Sequence, residues 1–276
     1  MRLATVRHEG ATRAARIEGE TAVLLDAADV GELLARGEGA AATARVVGEL
    51  PAATVRWSPP VTQPSKIVCV GMNYRGHIEE TGEPEPEYPT LFAKFADALI
   101  GASDPIVLPR AAERVDWEVE LVAVVGREVR GADAEEAAAA IAGFTVGNDV
   151  SVRDWQGRTT QWLQGKTWES TTPVGPVVVT TDEVGAFPDL EIRCEVDGVV
   201  RQRSRTSDLL RGPAELVAYV STIVRLRPGD LVFTGTPAGT GIGSVPPLRL
   251  EPGQSLGSAI EGIGALLNPC VAEAAR

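Results

Sequence analysis

Glycine and proline interrupt this chain so often that long helices have little room. Twenty-nine glycines and 19 prolines among 276 residues separate short Val-, Ile- and Leu-rich runs, the pattern of many short strands joined by turns. The expected fold is therefore mostly β with some α. Two segments read as helices. Residues 133–141 are almost all Ala and Glu, and residues 207–224 carry Leu209, Leu210, Leu216, Val217, Val220 and Ile223 at helical spacing behind Ser207 as the N-cap.

Residues 1–60 read as a small N-terminal α+β domain: strands over 3–6 and 22–25, then an Ala-rich helical stretch over 30–50. Pro59, Pro60 and Pro64 follow. Three prolines in six residues suit neither a helix interior nor a central strand, so the boundary is placed there and the main domain runs over 66–276. That domain opens with an apolar strand over 67–70, then a short polar segment over 73–80 that can form a helix before Gly82 and Pro84. Residues 230–233 read as a later strand.

Charge and rare residues exclude whole classes of function. With 26 Lys plus Arg against 38 Asp plus Glu the formal charge is −12, the wrong sign for a nucleic-acid binder. No apolar run approaches the roughly 18 residues of a membrane span, and charge at Arg2, Arg7 and Glu9 points to the cytoplasm. Cys69, Cys194 and Cys270 are odd in number and widely spaced, which suits reduced structural thiols. His8 and His77 are the two histidines, too few for most zinc sites or His-based triads. Carboxylates, lysine and one histidine must carry any chemistry.

The stretch Val115-Asp116-Trp117-Glu118-Val119-Glu120, running into Leu121-Val122-Ala123-Val124-Val125, is the most informative. Period-two geometry places Asp116, Glu118 and Glu120 on one face, about 7 Å between alternate residues. Such acids repel one another unless a cation neutralises them, and oxygen-only ligands suit hard ions such as Mg²⁺, Mn²⁺ or Ca²⁺. A polar outer strand face is the competing reading, which the apolar run beyond it disfavours. Asn148-Asp149 ends an apolar strand broken at Gly147; a third ligand or an Asx turn both fit it. His77 and Glu80 stand i, i+3, so one helical turn pairs an imidazole with a carboxylate, as a general base with its orienter requires. Arg153, Gln156 and Lys166 supply donors for a carboxylate or an enolate oxygen. Gly235-Thr236-Pro237-Ala238-Gly239-Thr240-Gly241 lacks a P-loop ending and reads as a substrate-lining turn.

In order along the chain stand Gly71-Met72-Asn73-Tyr74 with His77 and Glu80, the acidic strand 116–120, Gly147-Asn148-Asp149-Val150-Ser151 with Arg153-Asp154, Gly165-Lys166, Pro173-Val174-Gly175-Pro176, and Gly229-Asp230 leading to Thr234-Gly235-Thr236-Pro237. Over residues 66–243 this order resembles the fumarylacetoacetate hydrolase family, including its bacterial acylpyruvase and 2-hydroxyhepta-2,4-diene-1,7-dioate isomerase-like members. The resemblance implies a rolled, barrel-like β domain and a homodimer. It implies Glu118, Glu120 and Asp149 as Mg²⁺ or Mn²⁺ ligands, with Asp116 a neighbour. It also implies His77, Glu80 and Lys166 in catalysis, with the His77–Glu80 pair on a lid activating water, and Arg75, Arg153, Gln156 and Thr236 in contact with a small anionic 2-oxo acid.

The activity so implied is metal-dependent hydrolysis of a carbon–carbon bond in an acylpyruvate or related 2,4-dioxo acid of aromatic or sugar-acid catabolism. Oxaloacetate decarboxylation or isomerisation of a muconate-type diacid on the same scaffold is the alternative. Where many relatives carry Lys-Pro with nearby serines, this chain has Lys94-Phe95-Ala96-Asp97, a departure at the far end of the substrate.

Overall fold

The computed structural model describes residues 1–274 and is built mainly of strands. A 12-stranded mixed sheet dominates, and a five-stranded sheet carries the later strands Glu191–Val196, Val199–Arg205, Ser255–Ile260 and Gly264–Ala272. The large sheet does not close: Val46–Pro51 lies at one end of its hydrogen-bonded path and Thr90–Lys94 at the other. Most neighbours are antiparallel, with parallel pairing between Leu231–Phe233 and Ile67–Gly71.

The strand Val119–Val125 shows why the sequence folds this way. All seven residues are buried, because alternate side chains feed different cores. Val119, Leu121, Ala123 and Val125 join the larger apolar cluster. Val122 and Val124 join a second cluster with Leu25, Val30, Leu33 and Phe233. A strand covered on both faces needs an unbroken apolar run rather than alternation, and that is the sequence found after Glu120.

The first 58 residues add their strands to the same large sheet. Arg2–His8 pairs with Thr172–Thr180, and Arg56–Ser58 pairs back onto Arg2–His8. The expected strands over 3–6 and 22–25 are present as Arg2–His8 and Thr21–Leu25. The continuous helical stretch over 30–50 is corrected. It is two short helices, Val30–Ala35 and Ala40–Thr43, followed by the strand Val46–Pro51. Gly37 and Gly39 take φ of +101° and +77° between the helices, a left-handed backbone that ends a helix and that glycine adopts without penalty.

A second correction concerns residues 207–224. Ser207 lies in a 3₁₀ turn, Thr206–Asp208, and the α-helix begins only at Pro213, running to Ile223. Proline lacks the N–H an interior position needs but fits the first turn, while the Gly212 amide donates to Glu215 Oε2 at 2.8 Å. The helix expected over 133–141 is found as Ala134–Ala140. Asp133 caps it, accepting from the Glu135 and Glu136 amides at 3.0 and 2.9 Å. All three cysteines are free and buried.

Candidate active site

Antiparallel register builds the acidic centre. Val119 pairs with Asn148 and Glu120 with Gly147, so the acids at 118 and 120 stand beside the Asn148–Asp149 strand end. The backbone ties them together: the Asp149 amide donates to the Glu118 carbonyl at 2.8 Å, and the Glu118 amide donates to Asn148 Oδ1 at 2.9 Å. Gly147 is required here. A Cβ at that position would lie 2.6 Å from Val122 Cγ2 and 2.7 Å from Phe233 Cε1.

One carboxylate oxygen from each of Glu118, Glu120 and Asp149 lies within 4.8 Å of the others, and all three residues are buried. Around them stand three cations, Lys94 and Lys166 buried and Arg153 partly so. Lys166 Nζ donates to Glu118 Oε2 at 2.6 Å and to Asp149 Oδ2 at 2.7 Å. Lys94 Nζ is 2.8 Å from Asp149 Oδ1. Arg153 donates from Nη2 to Glu118 Oε1 at 2.6 Å, from Nε to Asp116 Oδ2 at 2.8 Å and from Nη1 to Gln156 Oε1 at 2.8 Å.

Electrostatics sort these acids. Burial alone would raise Glu118, but Lys166 and then Arg153 outweigh it and hold the carboxyl at about 2. Glu120 goes the other way: burial first, then Asp149 and Glu118, push it well above its ordinary value. Its Oε2 accepts from the Gly235 amide at 2.7 Å, and among the described residues no lysine or arginine pairs with it. Four acids, Asp116, Glu118, Glu120 and Asp149, face three cations, Lys94, Arg153 and Lys166, a formal local charge of −4 + 3 = −1. The donor set, all carboxylate oxygen, and the one acid left without a cation fit a hard divalent ion, whose charge would make the centre net positive.

The centre opens into a cavity of about 200 Å³ lined by residues that include His77, Glu118, Glu120, Arg153, Gln156, Trp162, Lys166 and Thr236. His77 lies on the helix Arg75–Thr81, its Nδ1 2.9 Å from Glu80 Oε2. Glu80 Oε1 in turn accepts from the Gly239 amide at 2.9 Å. Thr236 Oγ1 donates to the Val119 carbonyl at 3.0 Å and accepts from Gln202 Nε2 at 2.8 Å. The Gly165 Cα packs onto Gln156, where a Cβ would meet Gln156 Cβ at 2.5 Å, and this close approach brings Lys166 inward.

The cavity thus gathers His77, Lys166, Arg153, Gln156 and Thr236, with Glu80 behind His77. Arg75 is not among them: its side chain turns outward and donates to the Leu209 carbonyl at 3.1 Å. Asp116 stands outside the triad, held by Arg153 and by the Gly241 and Ile242 amides at 2.6 and 3.1 Å. Lys94 went unassigned in the sequence, although a lysine closing the run Thr-Leu-Phe-Ala-Lys is an odd charge for a strand. Its Nζ also donates to the Lys166 carbonyl. Trp162 and Gln202 carried no sequence signal.

Residues 66–271 match the family model described as fumarylacetoacetate (FAA) hydrolase C-terminal. The Bos taurus protein "Oxaloacetate tautomerase FAHD2A, mitochondrial" is 46% identical over 224 residues, 80% of this chain and 71% of that one. The Homo sapiens protein of the same name is 44% identical over the same shares. Among solved structures, 2-hydroxyhepta-2,4-diene-1,7-dioate isomerase from Mycobacterium marinum superposes with a TM-score of 0.82 at 37% identity, covering 100% of both chains. Fumarylacetoacetate hydrolase from Exiguobacterium antarcticum gives 0.88 at 31% identity, covering 99% of this chain and 100% of the other. A match over most of the chain, in the order the motifs implied and around a centre of this geometry, means that the chain belongs to the fumarylacetoacetate hydrolase family.

Proposed function

We propose that this enzyme interconverts the keto and enol forms of a small 2-oxo diacid of the oxaloacetate class. The observation that carries the reading is the meeting of Glu118, Glu120, Lys166 and His77 on the wall of one cavity of about 200 Å³, with the buried Asp149 completing the acidic triad behind it. The small volume suits a short diacid, and relatives with 40–46% identity bear the name oxaloacetate tautomerase. Hydrolytic cleavage of an acylpyruvate is the second reading, favoured by the His77–Glu80 pair, which could equally take a proton from water.

Glu118, Glu120 and Asp149 are the residues that would hold Mg²⁺ or Mn²⁺. Such an ion supplies a Lewis acid for the carboxylate and 2-oxo oxygens of the substrate. The chain's own residues account for the proton. With Glu80 accepting at Nδ1, His77 presents the lone pair of Nε2. It removes the proton from C3 of the keto acid; the C–H electron pair becomes the C2=C3 bond and the oxo oxygen gains negative charge.

An ammonium has three donors, and Lys166 commits two, to Glu118 and Asp149. The third is free for that oxygen. Burial would lower Lys166, but Asp149 and Glu118 outweigh it and raise it, which favours the ammonium form. Return of the proton held on His77 Nε2 to that oxygen completes the enol with no net gain or loss of protons, and the reverse path returns the ketone. Arg153 and Gln156 orient the substrate from the cavity wall.

The test follows the ultraviolet absorbance of enol oxaloacetate with purified protein in Mg²⁺, in Mn²⁺ and in EDTA, with acetylpyruvate alongside. Metal-dependent acceleration of ketonisation is expected. Cleavage of acetylpyruvate with no effect on oxaloacetate would replace the first reading by the second.

A further inference from the structure

The loop after the strand Leu231–Phe233 donates backbone amides to three acids of the site. The Gly235 amide goes to Glu120, the Gly239 amide to Glu80, and the Gly241 and Ile242 amides to Asp116. Past these donors lies Gly243, and a Cβ built there would have Glu80 as its three nearest neighbours: Cδ and Oε1 at 2.6 Å and Oε2 at 3.0 Å. Gly243 has no left-handed backbone to explain its presence. What needs it is space for a carboxylate.

We propose that the Gly239 amide and the bare Cα of Gly243 form a seat for the Glu80 carboxylate, and that Gly243 is a positioning residue for the His77–Glu80 pair. This rests on the reading of that pair as the proton-transferring group. The seat holds Glu80 from two sides: one oxygen accepts from Gly239 while the other faces His77 Nδ1. A carboxylate so fixed selects the imidazole tautomer with the proton on Nδ1, leaving Nε2 as the base. Without the seat, the side chain of Glu80, which is about one-fifth exposed, has solvent to turn toward, and the imidazole loses the acceptor that sets its tautomer.

Substitution at the two glycines should differ in kind. At Gly239, with φ +98°, a Cβ would meet the Arg201 carbonyl oxygen at 2.0 Å, so a change there strains backbone. At Gly243 the three nearest atoms all belong to the far end of one flexible side chain, that of Glu80. Gly243→Ala therefore displaces Glu80 and leaves the fold in place.

His8 and His77 are the two histidines, so ¹⁵N-histidine labelling of the Mg²⁺-loaded protein, with His8→Gln for assignment, reads the tautomer of His77 directly. The wild type should show His77 protonated on Nδ1. Gly243→Ala should lose that signature, bind Mg²⁺ as the wild type does, and lower kcat on enol oxaloacetate by about 10²-fold, the scale of a mispositioned acid–base group, with little change in KM. Glu80→Gln should lower kcat similarly. A Gly243→Ala protein with the wild-type His77 signature overturns the seat, whatever its kcat. Loss of the signature in Gly243→Ala together with full activity in Glu80→Gln upholds the seat and overturns the proton-transfer role on which its catalytic meaning rests.

Discussion

Lys94 and Asp149 form a fully buried ion pair, Nζ to Oδ1 2.8 Å, in a geometry too bent for a hydrogen bond. The contact is electrostatic, and removing the lysine would leave the buried Asp149 carboxylate with Lys166 as its remaining cation. Breaking a buried pair from one side costs about 3–5 kcal/mol. Because Lys166 still faces Asp149, Lys94→Met should lose at most about that much stability to urea in EDTA, and less in saturating Mg²⁺, which would supply the missing charge. Equal urea midpoints for the variant and the wild type in EDTA would contradict this balance.

Glu120 gives the metal-free protein a pH dependence with a definite sign. Its folded pKa lies well above the ordinary 4.5, so the folded state holds this proton more tightly than the unfolded chain. That stabilisation is present below 4.5 and is lost as pH rises toward the raised value. Glu118, held at about 2, acts oppositely: its contribution is present above 4.5 and fades as pH falls from 4.5 toward 2. In EDTA the melting temperature should decline above pH 4.5, and Glu120→Gln should flatten that decline. A slope unchanged in Glu120→Gln would locate its source elsewhere.

Glu118→Ala should abolish Mg²⁺ binding in a calorimetric titration and remove activity while the protein still unfolds cooperatively. Arg153 keeps Asp116 and Lys166 keeps Asp149 as partners, so neither cation is left isolated. Full activity of this variant in EDTA would sink the ligand assignment.

Gly71 sets one wall of the cavity. A Cβ there would meet Trp162 Cζ3 at 2.4 Å and Cη2 at 3.0 Å, and the indole is already braced edge-on against Phe92 with ring centroids 5.5 Å apart. Gly71→Ala should cost about 1–3 kcal/mol, as overpacking does, and raise KM by pushing the indole into the substrate space. An unchanged KM with an unchanged melting temperature would show that Trp162 has room to retreat.

Several features were legible because one short segment contains their cause. The apolar run 121–125 specified a buried strand, the Ala- and Glu-rich run 133–141 specified a helix, and His77 with Glu80 specified a pair one turn apart, found at 2.9 Å. Family order added the triad Glu118, Glu120 and Asp149, whose oxygens do converge. Local reading failed where its periodicity outran its breakers. Gly37 and Gly39 split the stretch 30–50, and Pro213 reset the start of the last helix.

Composition, spacing and local propensity thus determined the β-rich class and, with the family's motif order, most of the residues at the site. Tertiary structure alone decided what each charge faces. It turned Arg75 outward, carried Lys94 in from 55 positions before Asp149, and brought the loop around Gly239 and Gly243 onto Glu80, some 160 residues earlier in the chain. Those relationships depend on desolvation and on distances across the fold. A carboxylate's partner is set by which strands pair and how closely glycines let backbones approach, and neither is written in the residues next to it.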